Sequence, residues 1–453
     1  MNIIILSGGE GKQIWPLSNE ARSKQFLRLL PDEVSGESES MIQRVVRQIR
    51  KAGIEAPITI ATNEHQQDSI TAHLGHDVDI VTEPSRRDTF PAVCLACEYL
   101  SLEKGISDNE IVVVMPCDQF TELGYYEVVA KMALLAERPD VNLVVMGIEP
   151  DYTSSKFGYI ITDKSESETP EYYHVKEFRE KPSDQKAKRL IKQGAFWNGG
   201  VFAFKLGFLK KIAGRFVNTS TFDDVRNRYD DFPAISFDYE VAENTSNVLM
   251  VPFSGLWKDL GTWESLLEEV EEKSIGKVTT GDNKNTHVLN ELKIPILCVG
   301  TRNLVVAASL DGILIADKGH TESIKEYSER FKNRPMFEER RWGTYHVIDH
   351  TSFEDGYETL TKRLTLRPSC SISYQRHTFR DETWTFIDGE GIVILDNERR
   401  NVKRGDTIHI RKGEKHALMA KTPLTFIEVQ AGSNLVEEDI ERFPFSWESD
   451  SMQ

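Results

Sequence analysis

Residues 2–6 read Asn-Ile-Ile-Ile-Leu and run directly into Ser7-Gly8-Gly9-Glu10-Gly11-Lys12. A short β-branched run of this kind reads as a buried strand. The glycines after it put no Cβ in the way of an approaching group, so backbone N–H groups can face a phosphate or a base. Lys12 adds a cation at the same turn. A buried strand entering a glycine turn is the opening of a parallel α/β sheet. The turn fits neither the Walker A pattern nor G-x-G-x-x-G, and by itself a plain tight turn explains it as well.

Working outward, apolar runs recur at 57–61, 78–81, 111–115 and 142–146, with helical patterns between them at 41–52 and 91–103. That alternation predicts a doubly wound sheet with helices on both faces. After residue 265 the texture changes to a charged, Asn-containing stretch and closely spaced apolar runs at 294–299, 304–308 and 312–316. These leave no room for helices, and a small all-β element, in the form of a short β-solenoid, fits them. A charged linker covers 325–341, and from Trp342 strands and turns continue to about residue 432, as in a β-sandwich or barrel. The expected divisions are 1–265, a β-rich connection 266–340, and an all-β domain 341–445.

The 453 residues carry 72 acidic against 55 basic side chains, a formal charge of −17. Such an acidic surface argues against nucleic acid and anionic membranes as partners, while a local Lys cluster can still hold a phosphorylated substrate. The first apolar stretch is too short for a signal peptide, and no run approaches the ~18 residues of a membrane helix. Five cysteines give no disulfide framework, and the Cys94-x-x-Cys97 pair sits in the apolar, helix-like PAVCLACEYL, where core packing explains it. The chain is expected in the cytoplasm.

The neighbourhood of the first turn is specific. The run LSGGEGKQIWPLSN-x4-KQFL closely resembles the signature of the mannose 1-phosphate guanylyltransferases, members of the nucleotide-sugar pyrophosphorylase superfamily. Further blocks follow in family order. They are EPSRRDTFPA (83–92), MPCDQF (115–120), FGYI (157–160), FREKP (178–182), FWNGGVFAF (196–204), FPAISFDYEVAE (232–243) and WKDLGTWESL (257–266). The resemblance implies a Rossmann-like nucleotidyltransferase domain that takes GTP and mannose 1-phosphate. In that reaction a sugar phosphate oxygen attacks the α-phosphorus and pyrophosphate leaves, which needs a hard cation and positive charge around the phosphates.

By resemblance Asp118 and Asp259 hold Mg²⁺, Lys24 faces the nucleotide phosphates, and Lys181 faces the sugar phosphate. Gly8, Gly9, Gly11 and Arg87 serve the nucleotide. Glu180 and Asn198 bind sugar hydroxyls, and Gly158 allows close backbone approach. The family usually carries Arg where this chain has Gln13. An uncharged side chain there predicts weaker transition-state stabilisation, with Lys12 placed to compensate.

From 341 the text RWGTYHVID…GYETLTKRLTLRP resembles the opening of the family's cupin domain. The cupin metal motif then falls on Gln375, His377, Glu382 and His416, an N/O ligand set suited to Zn²⁺ or another divalent ion. In two-domain relatives this half is a mannose 6-phosphate isomerase, with Arg380 among its residues. Here three family histidines are Thr378, Phe379 and Thr383, and a family arginine is Ala417. A working isomerase and a cupin retained for structure or assembly both remain open. So do another hexose or heptose 1-phosphate as substrate, and a non-catalytic sugar-nucleotide-binding paralogue. A homodimer through cupin edge strands is a family-level expectation.

Overall fold

Ile3, Ile4 and Ile5 are completely buried, and the pleat sends them alternately into two cores. The structure, a computed structural model, describes residues 1–9, 14–19, 21–31, 36, 38–163, 171–331 and 334–447. By their contacts these residues form two compact units. One comprises residues 1–14, 23–271 and 318–324. The other comprises 15–22, 272–317 and 325–453.

In the first unit the strands are β1 (Asn2–Leu6), β2 (Ile58–Asn63), β3 (Asp79–Glu83), β4 (Ile111–Pro116), β5 (Gln119–Thr121), β6 (Leu143–Ile148), β7 (Tyr159–Asp163), β8 (Tyr173–Arg179), β9 (Phe196–Lys205), β10 (Val248–Phe253) and β11 (Trp257–Asp259). All but β5 and β11 join one sheet in the order β3-β2-β1-β4-β9-β6-β10-β8-β7. β1 runs parallel to β2 and β4, as the opening stretch predicts, but β9 runs antiparallel to β4 and β6. The sheet is therefore mixed. Ile3 and Ile5 pack with Ile42, Val45 and Ile49 of helix Met41–Lys51, while Ile4 packs with Phe90, Val93 and Cys97 of helix Thr89–Leu102. Cys94 and Cys97 are core residues with their thiols pushed well above the ordinary range by burial.

In the second unit, β12 (Ser274–Ile275), β13 (Val278–Gly281), β14 (His287–Asn290), β15 (Ile296–Val299) and β16 (Leu304–Ser309) stack in parallel as two faces of a short solenoid. β17 (Gly312–Asp317) closes it as an antiparallel hairpin with β16. Val288, Cys298 and Val306 fill the coil. Beyond it, a six-stranded and a five-stranded antiparallel sheet face each other around Trp384, Phe386, Leu418 and Phe426, which is the cupin architecture. No helix among the described residues is long and apolar enough to cross a membrane.

Candidate active sites

β5 and β11 make a two-stranded ribbon in which Asp259 lies opposite Gln119. That register brings Asp259 alongside Asp118, the residue just before β5. Lys24 opens a short 3-10 turn, Lys24–Phe26, and its Nζ stands 2.9 Å from Asp118 Oδ2 and 3.7 Å from Asp259 Oδ1. Burial opposes the Lys24 charge, but Asp118 and then Asp259 outweigh it and hold the ammonium above its ordinary value. Burial also opposes charge on Asp118, yet Lys24 brings that carboxyl below its usual range. Asp259 is raised by burial and by Asp118. Two carboxylates thus share one ammonium, which leaves hard oxygen donors and excess negative charge at one point. Cys117, beside them, is pushed up by burial to about 12 and stays a thiol.

The backbone of the glycine turn is held from below. Gln25 Nε2 donates to the Ser7 carbonyl at 3.2 Å, and Thr62 Oγ1 donates to the same oxygen at 3.1 Å. Gln66 Nε2 donates to Ser23 Oγ at 2.6 Å, and Ser23 Oγ donates to the Gly9 carbonyl at 3.2 Å. A Cβ on Gly8 would meet Glu83 Oε1 at 3.2 Å, so a carboxylate at the end of β3 borders the turn. Glu83 Oε2 accepts from Tyr229 Oη at 2.7 Å, and burial lifts Glu83 to about 7. Lys12, Gln13 and Gly11 lie outside the described residues.

A third group forms at the other end of the sheet. A Cβ on Gly158 would stand 2.4 Å from Glu180 Oε2, so a larger residue there would have to shift that carboxylate. The Asn198 amide N–H donates to the Gly158 carbonyl at 2.8 Å, and Asn198 Nδ2 donates to Asp238 Oδ1. Asp238 is raised to about 6 by burial and by Glu180. Lys181 Nζ lies 3.4 Å from Glu180 Oε1 and is otherwise solvent-facing. Gln119 ties this group to the ribbon, donating from Nε2 to the Gly199 carbonyl at 2.7 Å. The ribbon face that carries Trp257 and Asp259 opens on a cavity of about 1020 Å³.

The sequence-expected residues therefore gather as Lys24–Asp118–Asp259 and as Gly158–Glu180–Asn198, with Lys181 beside Glu180. Arg87 is engaged within the protein. Its guanidinium donates to the Phe232 carbonyl at 2.9 and 3.2 Å and reaches Asp230 at 3.3 Å. Glu83, Asp238, Gln25 and Gln66 were not singled out from sequence. Each sits inside a block or an ordinary helical stretch, with no spacing of its own to mark it.

In the cupin, His377, Glu382 and His416 offer ligand atoms within 4.8 Å of one another, all buried. Both rings are fixed by backbone carbonyls. His377 Nδ1 bonds the Asp439 carbonyl at 2.5 Å, and His416 Nδ1 bonds that of Glu414 at 3.1 Å. These bonds place the hydrogens on Nδ1 and turn both Nε2 lone pairs toward Glu382. His416 Nε2 is buried without a hydrogen-bond partner. Burial lowers His377, while its neighbours outweigh burial and lower Glu382, so the ligand-competent protonation states prevail at neutral pH. Gln375 Nε2 is 3.4 Å from His377 Nε2, with its oxygen accepting from Ser373 Oγ at 2.8 Å. Arg380 Nε donates to Glu382 Oε1 at 3.0 Å. The three lost histidines of the family text fall elsewhere, while Ala417, in place of the family's arginine, is buried with Tyr374 and Ile394. Thr378 and Phe379 are exposed, and Thr383 alternates outward from Glu382 and Trp384 to meet His409.

The chain belongs to the nucleotidyl transferase family, whose profile matches residues 2–274. The profile of the mannose-6-phosphate isomerase C-terminal domain matches residues 329–444. Among its relatives, a mannose-1-phosphate guanylyltransferase of Salmonella montevideo is 30% identical over 97% of this chain and 98% of its own. The xanthan biosynthesis protein XanB of Xanthomonas campestris pv. campestris (strain B100) is 31% identical over 97% of each chain. The solved structure of mannose-1-phosphate geranyltransferase from Thermus thermophilus matches with TM-score 0.61 and 25% identity, over 73% of this chain and 99% of that one.

Proposed function

We propose that this chain transfers GMP from GTP to mannose 1-phosphate, giving GDP-mannose and pyrophosphate. The observation that carries the reading is the Asp118–Asp259 pair on one ribbon with Lys24 at 2.9 and 3.7 Å. Closely set carboxylate oxygens with one ammonium between them fit Mg²⁺, a hard cation that takes oxygen ligands and, when bound, supplies charge neutralisation to the phosphates. Asp118 and Asp259 would hold it. A sugar phosphate oxygen forms the new bond to the α-phosphorus as the bond to the pyrophosphate breaks. Lys24 offsets the charge that develops there, and by the family text Lys12 adds a second cation where Gln13 supplies none.

Gly8 and Gly9 leave the turn open to the nucleotide, and the family text adds Gly11 to them. Glu83, as a carboxylate beside Gly8, offers the acceptors that the N1–H and N2–H₂ donors of guanine need, and adenine lacks that donor pair. Arg87 acts at one remove, by holding the 230–232 segment next to Tyr229, which bonds Glu83. Glu180 and Asn198 take the sugar hydroxyls, Asp238 orients Asn198, and Lys181 meets the sugar phosphate.

A second reading applies to the cupin because its ligand set is intact and the lost histidines lie off the cluster. His377, Glu382, His416 and, after an amide turn, Gln375 would hold Zn²⁺ or another divalent ion. We infer that this half retains mannose 6-phosphate isomerase chemistry, with the bound ion polarising the sugar oxygens and Arg380 holding Glu382 in place.

The test is pyrophosphate release from GTP, mannose 1-phosphate and Mg²⁺, with Asp118→Asn as control. Release that depends on Asp118 and yields GDP-mannose supports the reading. Release only with another nucleotide or sugar phosphate corrects the substrate, and none with any pair refutes catalysis.

A further inference from the structure

Residues 15–22 follow Ile14 and precede Ser23, both in the first unit, yet by their own contacts they belong to the second. Several anchors hold them there. The Trp15 ring stacks on Phe331 with 5.1 Å between centroids. Gly312, at φ +152°, makes room for that ring, because a Cβ at 312 would stand 2.5 Å from Trp15 Cζ2. Ser309 Oγ donates to the Pro16 carbonyl at 2.7 Å in a buried bond. Asp311 accepts from Asn19 Nδ2 at 2.7 Å with one oxygen and from the Met336 amide at 2.8 Å with the other. Arg22 forks onto Glu291 at 2.9 and 3.0 Å and lies over the Phe337 ring.

Two residues after Arg22 comes Lys24, with fully buried Ser23 between them. A chain this short passes displacement on rather than absorbing it, since each residue has only two soft backbone dihedrals. We propose that the tip of the β16–β17 hairpin, through Ser309, Asp311 and Gly312, is a seat for residues 15–22 and thereby positions Lys24 in the transferase reaction. The three residues are positioning residues that touch no substrate. Their catalytic consequence rests on the transferase reading, whereas the seat itself does not. A helix or sheet contact that merely stabilised the second unit would leave turnover per folded molecule unchanged, and the seat would not.

The experiment measures amide hydrogen exchange across residues 15–27 and steady-state kinetics on the same full-length samples. Gly312→Ala displaces Trp15. We expect faster exchange across 15–27, a kcat lower by about tenfold to hundredfold, and KM values within about twofold. If Gly312→Ala does not fold, a swap carries the test. Asn19→Asp alone sets two carboxylates face to face, and adding Asp311→Asn restores a donor–acceptor pair in the opposite sense. The single variant should lose protection and kcat, and the double variant should recover both. Unchanged exchange in the folded variants overturns the proposal, as does faster exchange with unchanged kcat. A wild-type chain that releases no pyrophosphate refutes the transferase reading instead, and the exchange measurement still decides whether the seat exists.

Discussion

The two candidate metal sites of this chain are built on opposite plans. At the transferase site the carboxylates of Asp118 and Asp259 are 36% and 44% exposed and share a lysine. In the cupin, His377, Glu382 and His416 are 1%, 2% and 0% exposed, and one ring nitrogen has no partner. Water reaches the first pair, so an ion held there would stay in exchange with solvent. The second group is shut off from bulk solvent, and a buried polar atom without a bond costs about 1–3 kcal/mol. It therefore favours a resident ion.

The largest expected break in that comparison is Asp118→Asn. It should lower kcat for pyrophosphate release by about 10²–10³ while leaving cupin metal content, read by elemental analysis, unchanged. Next, Glu382→Gln should weaken cupin metal binding by about 100-fold or more, beyond what loss of a supporting partner does, with the transferase rate intact. Chelation should lower the melting temperature of wild type but not of this variant. Metal loss at both sites from either substitution would erase the distinction.

A smaller effect concerns base choice. Glu83→Gln removes a charge-assisted acceptor, so KM for GTP should rise about tenfold. Glu83 is raised from 4.5 to about 7, so in wild type kcat/KM for GTP should climb as pH rises through about 7, and the variant should lose that inflection. The same shift has the opposite sign for folding. Its stabilising contribution is full below pH 4.5 and is lost as the pH rises toward about 7, because the folded state holds the proton more tightly. The smallest effect belongs to Thr383→His. Because Thr383 faces away from Glu382, restoring the family's histidine should change metal content and isomerisation less than about twofold, within the range usual for surface changes.

Much of the fold was legible because β1, β4 and β6 are apolar, β-branched runs buried on both faces, whose pattern needs no partner to be recognised. Lys24, Asp118 and Asp259 were legible because each sits in a block with its own text. The antiparallel course of β9 was not, since FWNGGVFAF reads the same in either direction. Glu83 escaped notice for a physical reason. Its role comes from a glycine 75 positions away and from the Tyr229 hydroxyl, and neither leaves a local spacing. The cupin was legible only in part. The sequence counts lost histidines, but only the structure shows that Thr378 and Phe379 are exposed between two strands and that Thr383 alternates away from Glu382.

The hairpin tip that cradles Trp15 also bears on how such a chain can be inherited. A gene exchange that kept residues 1–271 and replaced everything after them would leave Trp15, Asn19 and Arg22 without Gly312, Asp311 and Glu291. The incoming half would need a small residue and an acid at matched places before the hybrid worked. The two halves can therefore diverge by substitution, but recombination between lineages would have to carry that hairpin with residues 15–22.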